Sequence, residues 1–543
     1  MPAGKSRDND TLLAEACRIL GLVDGCLLPA SAAPTEKSAT QWMDKGDWLA
    51  LANEVRARDV FFVDNEPVVV LAELPDGDDE GKFFNRIWSM ARPQILFLAR
   101  EGELAVYQLG AAPVKGDEPV NSGNRLLGLA SNVSEIATKL ARFRRESIES
   151  GQVYGDPRFG NGAERADRAL VHDLKSVCNS LTEGESGLDP SIAHALIGRA
   201  LFVRYLEDRD ILVPDYFASV ARTSPEWQAL LERKPREFFA EPRFAEVLFF
   251  RVLRDKAFTY ALFRKLARDF NGDTFPVTDK EWNDVQPHHL GLLRALLMGD
   301  DVAEKGQRRL FLFAYRFDII PIELISSIYE NFYAAQRGKG KTQSSYYTPP
   351  ALVDFLLSRA LTTEVLDKRP RVVDPACGSG IFLVETFRRM VRHRVAKQRK
   401  RLSQRELRVI LRDQLRGVDL NPEAVPVAAF SLYLAYLHYQ KPREIDESRR
   451  LPNLRWDPKR KDRDPEQHFD ILFSGNAFNA IAHEDPVVQE HFGPGSADVV
   501  VGNPPWGKVK LDDTLGRRAL AQTMTWCEAK PERIIGDKEL SQA

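Results

Sequence analysis

The sequence has few cysteines, and their spacing argues against a disulfide framework. Only five of its 543 residues are cysteine, and no two of them form a Cys-x-x-Cys pair. Disulfide scaffolds and zinc sites both need clustered cysteines, so a reducing, cytoplasmic location is expected. The sequence also lacks an apolar run long enough to cross a membrane, because Arg199 and Arg204 interrupt its most apolar stretch, residues 192–206.

The sequence has no large excess of charge of either sign. Its formal net charge is -2, so any basic surface for nucleic acid would have to be local. Two local basic stretches are present, residues 388–401 and residues 459–463. Contact with DNA phosphates and an ordinary solvated helix end or loop are both compatible with these stretches.

Residues 1–150 are predicted to form an α/β domain. Apolar residues at helical spacing extend to about residue 55, and segments rich in β-branched and aromatic residues follow. The strands are expected in two pairs, residues 59–63 with 67–74 and residues 92–99 with 104–109.

Two acidic residues of this domain, Asp64 and Glu73, suggest a metal site. An Asp followed by a Glu-x-Lys on neighbouring strands is the PD-(D/E)xK signature of a nuclease fold, which this region weakly resembles; there the acids hold a divalent metal. Pro75 stands where the lysine is required. The favoured interpretation is a pair of solvated carboxylates, or a degenerate nuclease-like domain without activity.

A helical region follows, separated from the first domain by a linker. Residues 151–167 contain several glycines and a proline, which is typical of a linker. Residues 165–337 are predicted to form a helical connector domain for which no chemistry is indicated. A second linker, residues 338–345, is cationic and leads to the remaining chain.

A strand, a glycine-containing loop and a helix begin at residue 371. Asp374 ends the strand and the loop extends to Gly380, so the backbone can approach a ligand closely. The spacing fits neither the GxGxxG nor the P-loop pattern, which predicts a small-molecule site without a pyrophosphate. Asp419 ends the next strand, where doubly wound folds place the acidic partner of ribose hydroxyls.

Further polar residues are expected at the ends of helices and strands. Thr348 is predicted to cap a helix whose first residue is Pro349. The third strand ends near Asn476, and the fourth, residues 497–501, is expected to be fully buried and to end at Asn503. In an open parallel sheet, ligands bind at these carboxyl ends.

The turn Asn-Pro-Pro-Trp at residues 503–506 predicts a site for a nucleobase amine. Two consecutive prolines stiffen the turn and remove two backbone donors. The Asn503 side chain and the Pro504 carbonyl group can then accept hydrogen bonds from one amino group. Trp506 offers a face on which a flat ring could lie.

Taken in order, residues 346–507 resemble the γ-type adenine-N6 DNA methyltransferases of type IIG restriction–modification and phage-defence systems. Motifs X, I, II, III and IV of that family occur in this order and on the expected strand ends. The resemblance implies a Rossmann-like domain, S-adenosyl-L-methionine as cofactor, no metal, and double-stranded DNA with a flipped adenine as substrate. The cofactor contacts that it implies are Tyr347, Thr348, Asp374, Ala376, Cys377, Gly378, Gly380, Asp419 and Asn476.

The resemblance places catalysis in the turn at residues 503–506. Asn503 and the carbonyl oxygen of Pro504 would accept hydrogen bonds from the target amine, next to Pro505, and Trp506 would stack on the base. A nucleophilic role for Cys377, as in cytosine-C5 enzymes, is less favoured than packing, because Cys377 lies inside the cofactor loop.

The resemblance covers only the N-terminal part of the methyltransferase fold. Residues 341–510 would form the N-terminal half of the domain, and residues 511–543 a polar tail. The sequence therefore predicts a truncated enzyme, or one completed by a second polypeptide. A catalytically silent remnant that binds cofactor or partner, and a fused endonuclease–methyltransferase, are the alternatives.

Overall fold

The computed structural model describes most of the chain, which divides into two compact units. The first unit contains residues 1–263 and 277–321, and the second contains residues 264–276 and 322–543. Helices and sheets occur in both units, so the fold is mixed α/β, as predicted. The described residues are 12–34, 39–100, 102–114, 118–159, 165–232, 247–271, 277–298, 316, 317, 319, 348–422, 424–442, 445, 451–460, 464–477, 480 and 483–504.

The first unit is built on a six-stranded sheet whose strands lie in chain order. Neighbouring strands are antiparallel except β3 and β4, which are parallel and connected through the helix Glu80–Trp88. Buried phenylalanines, among them Phe61, Phe97 and Phe143, pack in its core. The strands are β1 Cys26–Pro29, β2 Asp59–Val63, β3 Glu66–Glu73, β4 Ile95–Arg100, β5 Glu103–Gln108 and β6 Leu126–Ala130.

The two predicted strand pairs are confirmed, but the helical prediction for residues 1–55 is wrong over one stretch. Between a helix at residues 12–19 and the helix Ala39–Glu54 lies the strand β1. Gly21 has a left-handed φ of 73°, which ends helical geometry, and Cys26 then pairs with Phe62. So short a strand has no periodicity of its own that separates it from a helix.

Helices make up the rest of the first unit, and charged pairs lie inside it. The helix Pro190–Asp208 is largely buried although it carries Arg199 and Arg204. Arg199 pairs with Glu281 and Arg204 with Glu207, because buried charges require partners. Within the described ranges, no helix is both long enough and apolar enough to cross a membrane. The other helices are Val133–Lys139, Arg145–Glu149, Ala166–Thr182, Pro214–Ala221, Pro225–Glu232, Phe249–Val252, Lys256–Leu266, Asp279–Asp284 and Pro287–Leu297.

The second unit contains a five-stranded sheet in which all neighbouring strands are parallel. Its strand order is β11-β7-β8-β10-β9. Parallel strands end at the same edge, so the carboxyl ends of β7, β8, β10 and β11 lie side by side. The strands are β7 Val372–Asp374, β8 Leu415–Asp419, β9 Asn453–Arg455, β10 His468–Ser474 and β11 Val499–Val500. The helices are Pro350–Ala360, Thr363–Asp367, Ile381–Gln398, Gln404–Gln414, Ala424–His438 and Pro486–Phe492.

The prediction that the fourth strand of this sheet is fully buried is wrong. β11 has two residues, Val499 is half-buried, and Val500 is 60% exposed. The strand pairs with β7, and the carboxylate of Asp498 accepts hydrogen bonds from the backbone N–H and the Nε of Arg371 at 2.8 and 3.2 Å. A valine-rich run is thus compatible with an edge strand as well as with a central one.

Part of the first basic stretch is structural. Arg388, Arg389 and Arg392 are each less than a tenth exposed. Arg388 and Arg392 pair with Glu385, and Arg389 donates to the carbonyl oxygen of Leu361 at 2.9 Å. These three side chains are therefore occupied in packing the helix Ile381–Gln398, which excludes them as DNA phosphate contacts.

Candidate active site

Asp374 is the last residue of β7 and the start of the glycine-containing loop. Its side chain is buried, with 1% exposure, and its Oδ1 accepts the backbone N–H of Ala376 at 3.0 Å. The next two N–H groups are also used within the protein: Cys377 donates to the carbonyl oxygen of Val418 and Gly378 to Asp419 Oδ2, both at 2.8 Å. The backbone N–H groups of the loop therefore fix its conformation, because all three donate to acceptors within the protein.

Gly380 lies where the loop becomes the helix Ile381–Gln398. Its φ is 88°, a conformation that other residues rarely adopt. A Cβ at this position would lie 3.1 Å from both the Cα and the Cβ of Ala428. Glycine therefore lets the loop lie directly against the helix Ala424–His438.

Asp419 connects three loops at the carboxyl ends of the strands. Its two carboxylate oxygens accept the N–H groups of Gly378, in the first loop, and Asn421, in its own loop, the latter at 2.7 Å. Its backbone carbonyl accepts the N–H of Gly475, after β10, at 2.8 Å. These hydrogen bonds fix the orientation of the carboxylate before any ligand binds.

Asn476 follows Gly475 in the loop after β10 and is half-buried. Its carbonyl oxygen accepts the N–H of Ala480 at 3.1 Å. Through Gly475, this loop is fixed to Asp419, so Asn476 lies next to the end of β8 in the sheet order. The strand ends predicted to carry motifs I, II and III are thus neighbours.

Thr348 and Asn503 are in direct contact although 155 residues separate them. The Nδ2 of Asn503 donates to the Oγ1 of Thr348 at 3.3 Å, and Thr348 is 6% exposed. The predicted helix start is wrong by one residue: Pro349 is the N-cap, without a side-chain bond, and Pro350 is the first helical residue. Proline is tolerated at that position because the N–H it lacks would have no helical partner, and the Thr348 hydroxyl is in contact with Asn503.

Gly502, which the sequence analysis did not single out, brings β11 close to Asp374. A Cβ at Gly502 would lie 2.5 Å from Asp374 Oδ1 and 3.5 Å from the Cδ of Pro375. Only glycine allows this approach, which places Asn503 one residue beyond the contact. The sequence signal that could have identified Gly502 is its position directly before the Asn-Pro turn.

Cys377 is a packed residue, as favoured from its position in the loop. It is 3% exposed, and its Sγ lies 3.9 Å from the carbonyl oxygen of Gly378. A Cβ on Gly417, in β8, would lie 3.2 Å from that sulfur. The thiol is therefore enclosed between the loop and the sheet.

The described part of the site offers mainly hydrogen-bond acceptors. Asp374 and Asp419 contribute carboxylates, and the N-terminus of the helix Ile381–Gln398 contributes the positive end of a helix dipole. Among the described residues, no group of three or more His, Cys, Asp or Glu side chains could hold a metal ion. Such a set suits a cationic ligand that also carries hydroxyl groups and a carboxylate. Three predicted site residues, Tyr347, Pro505 and Trp506, lie outside the described residues.

The two acids that the sequence analysis considered in the first unit, Asp64 and Glu73, lie far apart. Asp64 is exposed in the turn between β2 and β3, whereas Glu73 ends β3. Eight residues of β3 span roughly 23 Å at about 3.3 Å per residue, so the two carboxylates lie at opposite ends of the hairpin. Pro75 lies in the turn that follows, where its carbonyl oxygen accepts the N–H of Asp78 at 3.0 Å.

Comparison with known proteins gives a family match within the second unit. Residues 360–530 match the family described as "MmeI, DNA-methyltransferase domain". Over 199 residues, 34% of this chain and 16% of the relative, the sequence is 31% identical to the adenine-specific methyltransferase PglX of Streptomyces coelicolor. The predicted resemblance to adenine-specific DNA methyltransferases is confirmed by these two similarities. The match spans about a sixth of the length of PglX.

Two solved structures of DNA complexes are similar to parts of this chain. DrdV, in a cryoEM structure of its DNA complex, is 14% identical with a TM-score of 0.35, over 96% of this chain and 46% of DrdV. The type IIL restriction–modification enzyme MmeI, in complex with DNA, is 17% identical with a TM-score of 0.30, over 52% of this chain and 37% of MmeI. At these TM-scores, neither similarity decides fold or function.

Proposed function

We propose that this chain is the catalytic part of an enzyme that transfers a methyl group from S-adenosyl-L-methionine to the N6 atom of adenine in double-stranded DNA, within a restriction–modification or phage-defence system. The observation that carries the proposal is the contact between Asn503 and Thr348. Because Nδ2 of Asn503 faces Thr348, the amide oxygen faces away from it and can accept a hydrogen bond from a target amine.

The reaction needs two acceptors on one amine. The lone pair of the adenine amino group is delocalised into the ring and is a poor nucleophile. Hydrogen bonds to the Asn503 amide oxygen and the Pro504 carbonyl oxygen would draw the amine toward tetrahedral geometry and localise that lone pair. Positioning and the exclusion of water then supply most of the acceleration. Pro505 would stiffen the turn, and Trp506 would stack on the flipped base.

The cofactor would lie across the carboxyl ends of a Rossmann-like sheet and supply an electrophilic methyl group on a sulfonium ion. Asp419 would accept hydrogen bonds from the ribose hydroxyls, and Asp374 would lie near the ammonium group of the methionine part. The N–H groups of Ala376, Cys377 and Gly378 donate within the protein, so these residues would shape the loop, with the helix N-terminus after Gly380 left to attract the carboxylate.

Two remaining cofactor contacts follow the resemblance. Asn476 would reach the adenine ring of the cofactor from the loop after β10, and Tyr347 would accompany Thr348 on the methionine side. A second polypeptide that continues the sheet beside β11 is part of the proposal. Among the described strands, β11 pairs with β7 alone, and Val500 is 60% exposed.

Methyl transfer tests the proposal directly. The chain, alone and together with the product of the neighbouring gene, is incubated with unmethylated double-stranded DNA and labelled cofactor, and the modified base is identified by mass spectrometry. N6-methyladenine is the expected product. Asn503→Ala should bind the cofactor as tightly as the unchanged protein and transfer no methyl group. Cofactor binding without any transfer to DNA in both preparations would instead show a catalytically silent binding protein.

A further inference from the structure

Two carboxylates of the first unit lie together at the open end of the β2–β3 hairpin. Asp59, the first residue of β2, is paired with Leu71 of β3. Glu73 lies two residues beyond Leu71, so its side chain is on the same face of the sheet as that of Asp59. An Asp at the start of one strand and a Glu at the end of its antiparallel neighbour is an arrangement in which two acids can share a divalent cation.

Arg58 occupies the position between these acids. Its Nε lies 2.9 Å from Asp59 Oδ2 and its Nη1 lies 3.5 Å from Glu73 Oε1. The side chains are only partly exposed, at 31% for Arg58, 13% for Asp59 and 26% for Glu73. The backbone N–H of Arg58 also donates to the carbonyl oxygen of Leu71 at 2.8 Å, which fixes the arginine at the strand edge.

We infer that the guanidinium group of Arg58 occupies the position between Asp59 and Glu73 that a shared divalent cation would need, so that these two acids bind no Mg²⁺ or Mn²⁺. The inference is independent of the proposed methyl transfer. It accounts for two acids in a suitable arrangement next to a turn that has Pro75 in place of the lysine.

The net charge of the site and the covalent attachment of Arg58 both favour its guanidinium group over a divalent cation. Among these three side chains, Arg58 changes the net charge that faces a divalent cation from -2 to -1, and it places a positive group within about 4 Å of the acids. Arg58 is covalently attached next to Asp59, so it is always present at the site. Its planar group of donors also matches carboxylate oxygens better than a single ammonium would.

Mn²⁺ titration followed by electron paramagnetic resonance tests the inference, because bound Mn²⁺ disappears from the free-ion signal. The unchanged protein and Glu73→Gln should give the same isotherm. Arg58→Gln should gain one site, with Mn²⁺ affinity at least about ten-fold higher, and adding Glu73→Gln to it should abolish the gain. Arg58→Lys keeps the positive charge and should gain nothing.

Arg56→Gln is the matched control, since Arg56 is an exposed arginine two residues away that pairs with Asp78 at 3.3 Å. It should leave Mn²⁺ binding unchanged, and thermal unfolding of every variant checks that the unit remains folded. A Mn²⁺ site in the unchanged protein that Glu73→Gln removes would overturn the inference. So would a folded Arg58→Gln variant with no gain in binding.

Discussion

Replacing Thr348 by valine tests whether its hydroxyl group positions Asn503 or binds the cofactor. Valine keeps the shape of threonine but loses the hydroxyl oxygen that accepts the Nδ2 of Asn503 at 3.3 Å. Thr348 is 6% exposed, so little water can reach the vacated position. We expect the Asn503 amide to lose its preferred orientation, so that its oxygen no longer points in the one direction from which the target amine would donate.

The size of the effect follows from the free energy of one hydrogen bond. A neutral hydrogen bond contributes a net stabilisation of about 0.5–1.5 kcal/mol, and about 1.36 kcal/mol corresponds to a ten-fold change in rate. Thr348→Val should therefore lower the rate of methyl transfer about 2- to 12-fold. Asn503→Ala removes the acceptor itself and should lower it by about a hundred-fold or more.

Two measurements on the same variant give the answer: the single-turnover rate at saturating cofactor and the dissociation constant of the cofactor. If Thr348 positions Asn503, the rate falls and the dissociation constant is unchanged. Thr348→Ser, which keeps the hydroxyl, should restore most of the rate. A weaker cofactor affinity with an unchanged saturated rate would refute the positioning role and show that the hydroxyl binds the cofactor.

Three further predictions concern the same unit. Gly502→Ala places a Cβ 2.5 Å from Asp374 Oδ1 and should lower the free energy of unfolding in urea by about 1–3 kcal/mol; an unchanged midpoint would show that the turn can shift freely. Asp419→Ala removes two charge-assisted hydrogen bonds and should weaken cofactor binding about ten-fold or more, measured by calorimetry, whereas equal affinity would exclude a ribose contact. Burial, reinforced by Arg416, lowers the pKa of His491 from 6.5 to about 3. The stability that depends on neutral His491 is therefore complete above pH 6.5 and lost as pH falls toward 3, by roughly 2 kcal/mol at pH 5; His491→Gln should lose less stability than the unchanged protein between pH 7 and pH 5.

The strand-end acids could be predicted because their signal is local. Asp374 and Asp419 each follow a short apolar run and precede a turn, and that pattern requires only neighbouring residues to be interpreted. The parallel sheet then places them side by side, as expected for a doubly wound fold. The hydrogen bond from Gly378 to Asp419 is a consequence of this arrangement, but its existence could not be deduced from spacing.

Contacts between distant segments could not be predicted. Asp64 was matched to Glu73 by spacing along the chain, yet an antiparallel hairpin brings the first residue of β2, Asp59, close to the last residue of β3. The presence of Arg58 between the acids depends on side-chain direction as well as on register. A motif defined by sequence spacing alone specifies neither the strand register nor the direction of the side chains.

Buried arginines show a second limit of predictions made from composition and sequence pattern. A basic run such as residues 388–401 is usually solvated, because burial of a charge is unfavourable without a partner. Here Glu385 lies on the same helix as Arg388 and Arg392 and forms an ion pair with each of them. Helical spacing of three and seven residues could have indicated these pairs, but whether that face of the helix is covered depends on the tertiary fold.

The position of Asn503 depends on contacts at both ends of a very short strand. β11 has only two residues, and its ladder alone would hold the following turn weakly. Before the strand, Asp498 is bound to Arg371, 127 residues earlier. The hydrogen bonds from the Arg371 side chain and backbone N–H hold the pKa of Asp498 below its usual range. After the strand, Asn503 itself is bound to Thr348. Side-chain contacts from distant parts of the chain therefore fix the position of Asn503, the residue that we propose as an acceptor for the target amine.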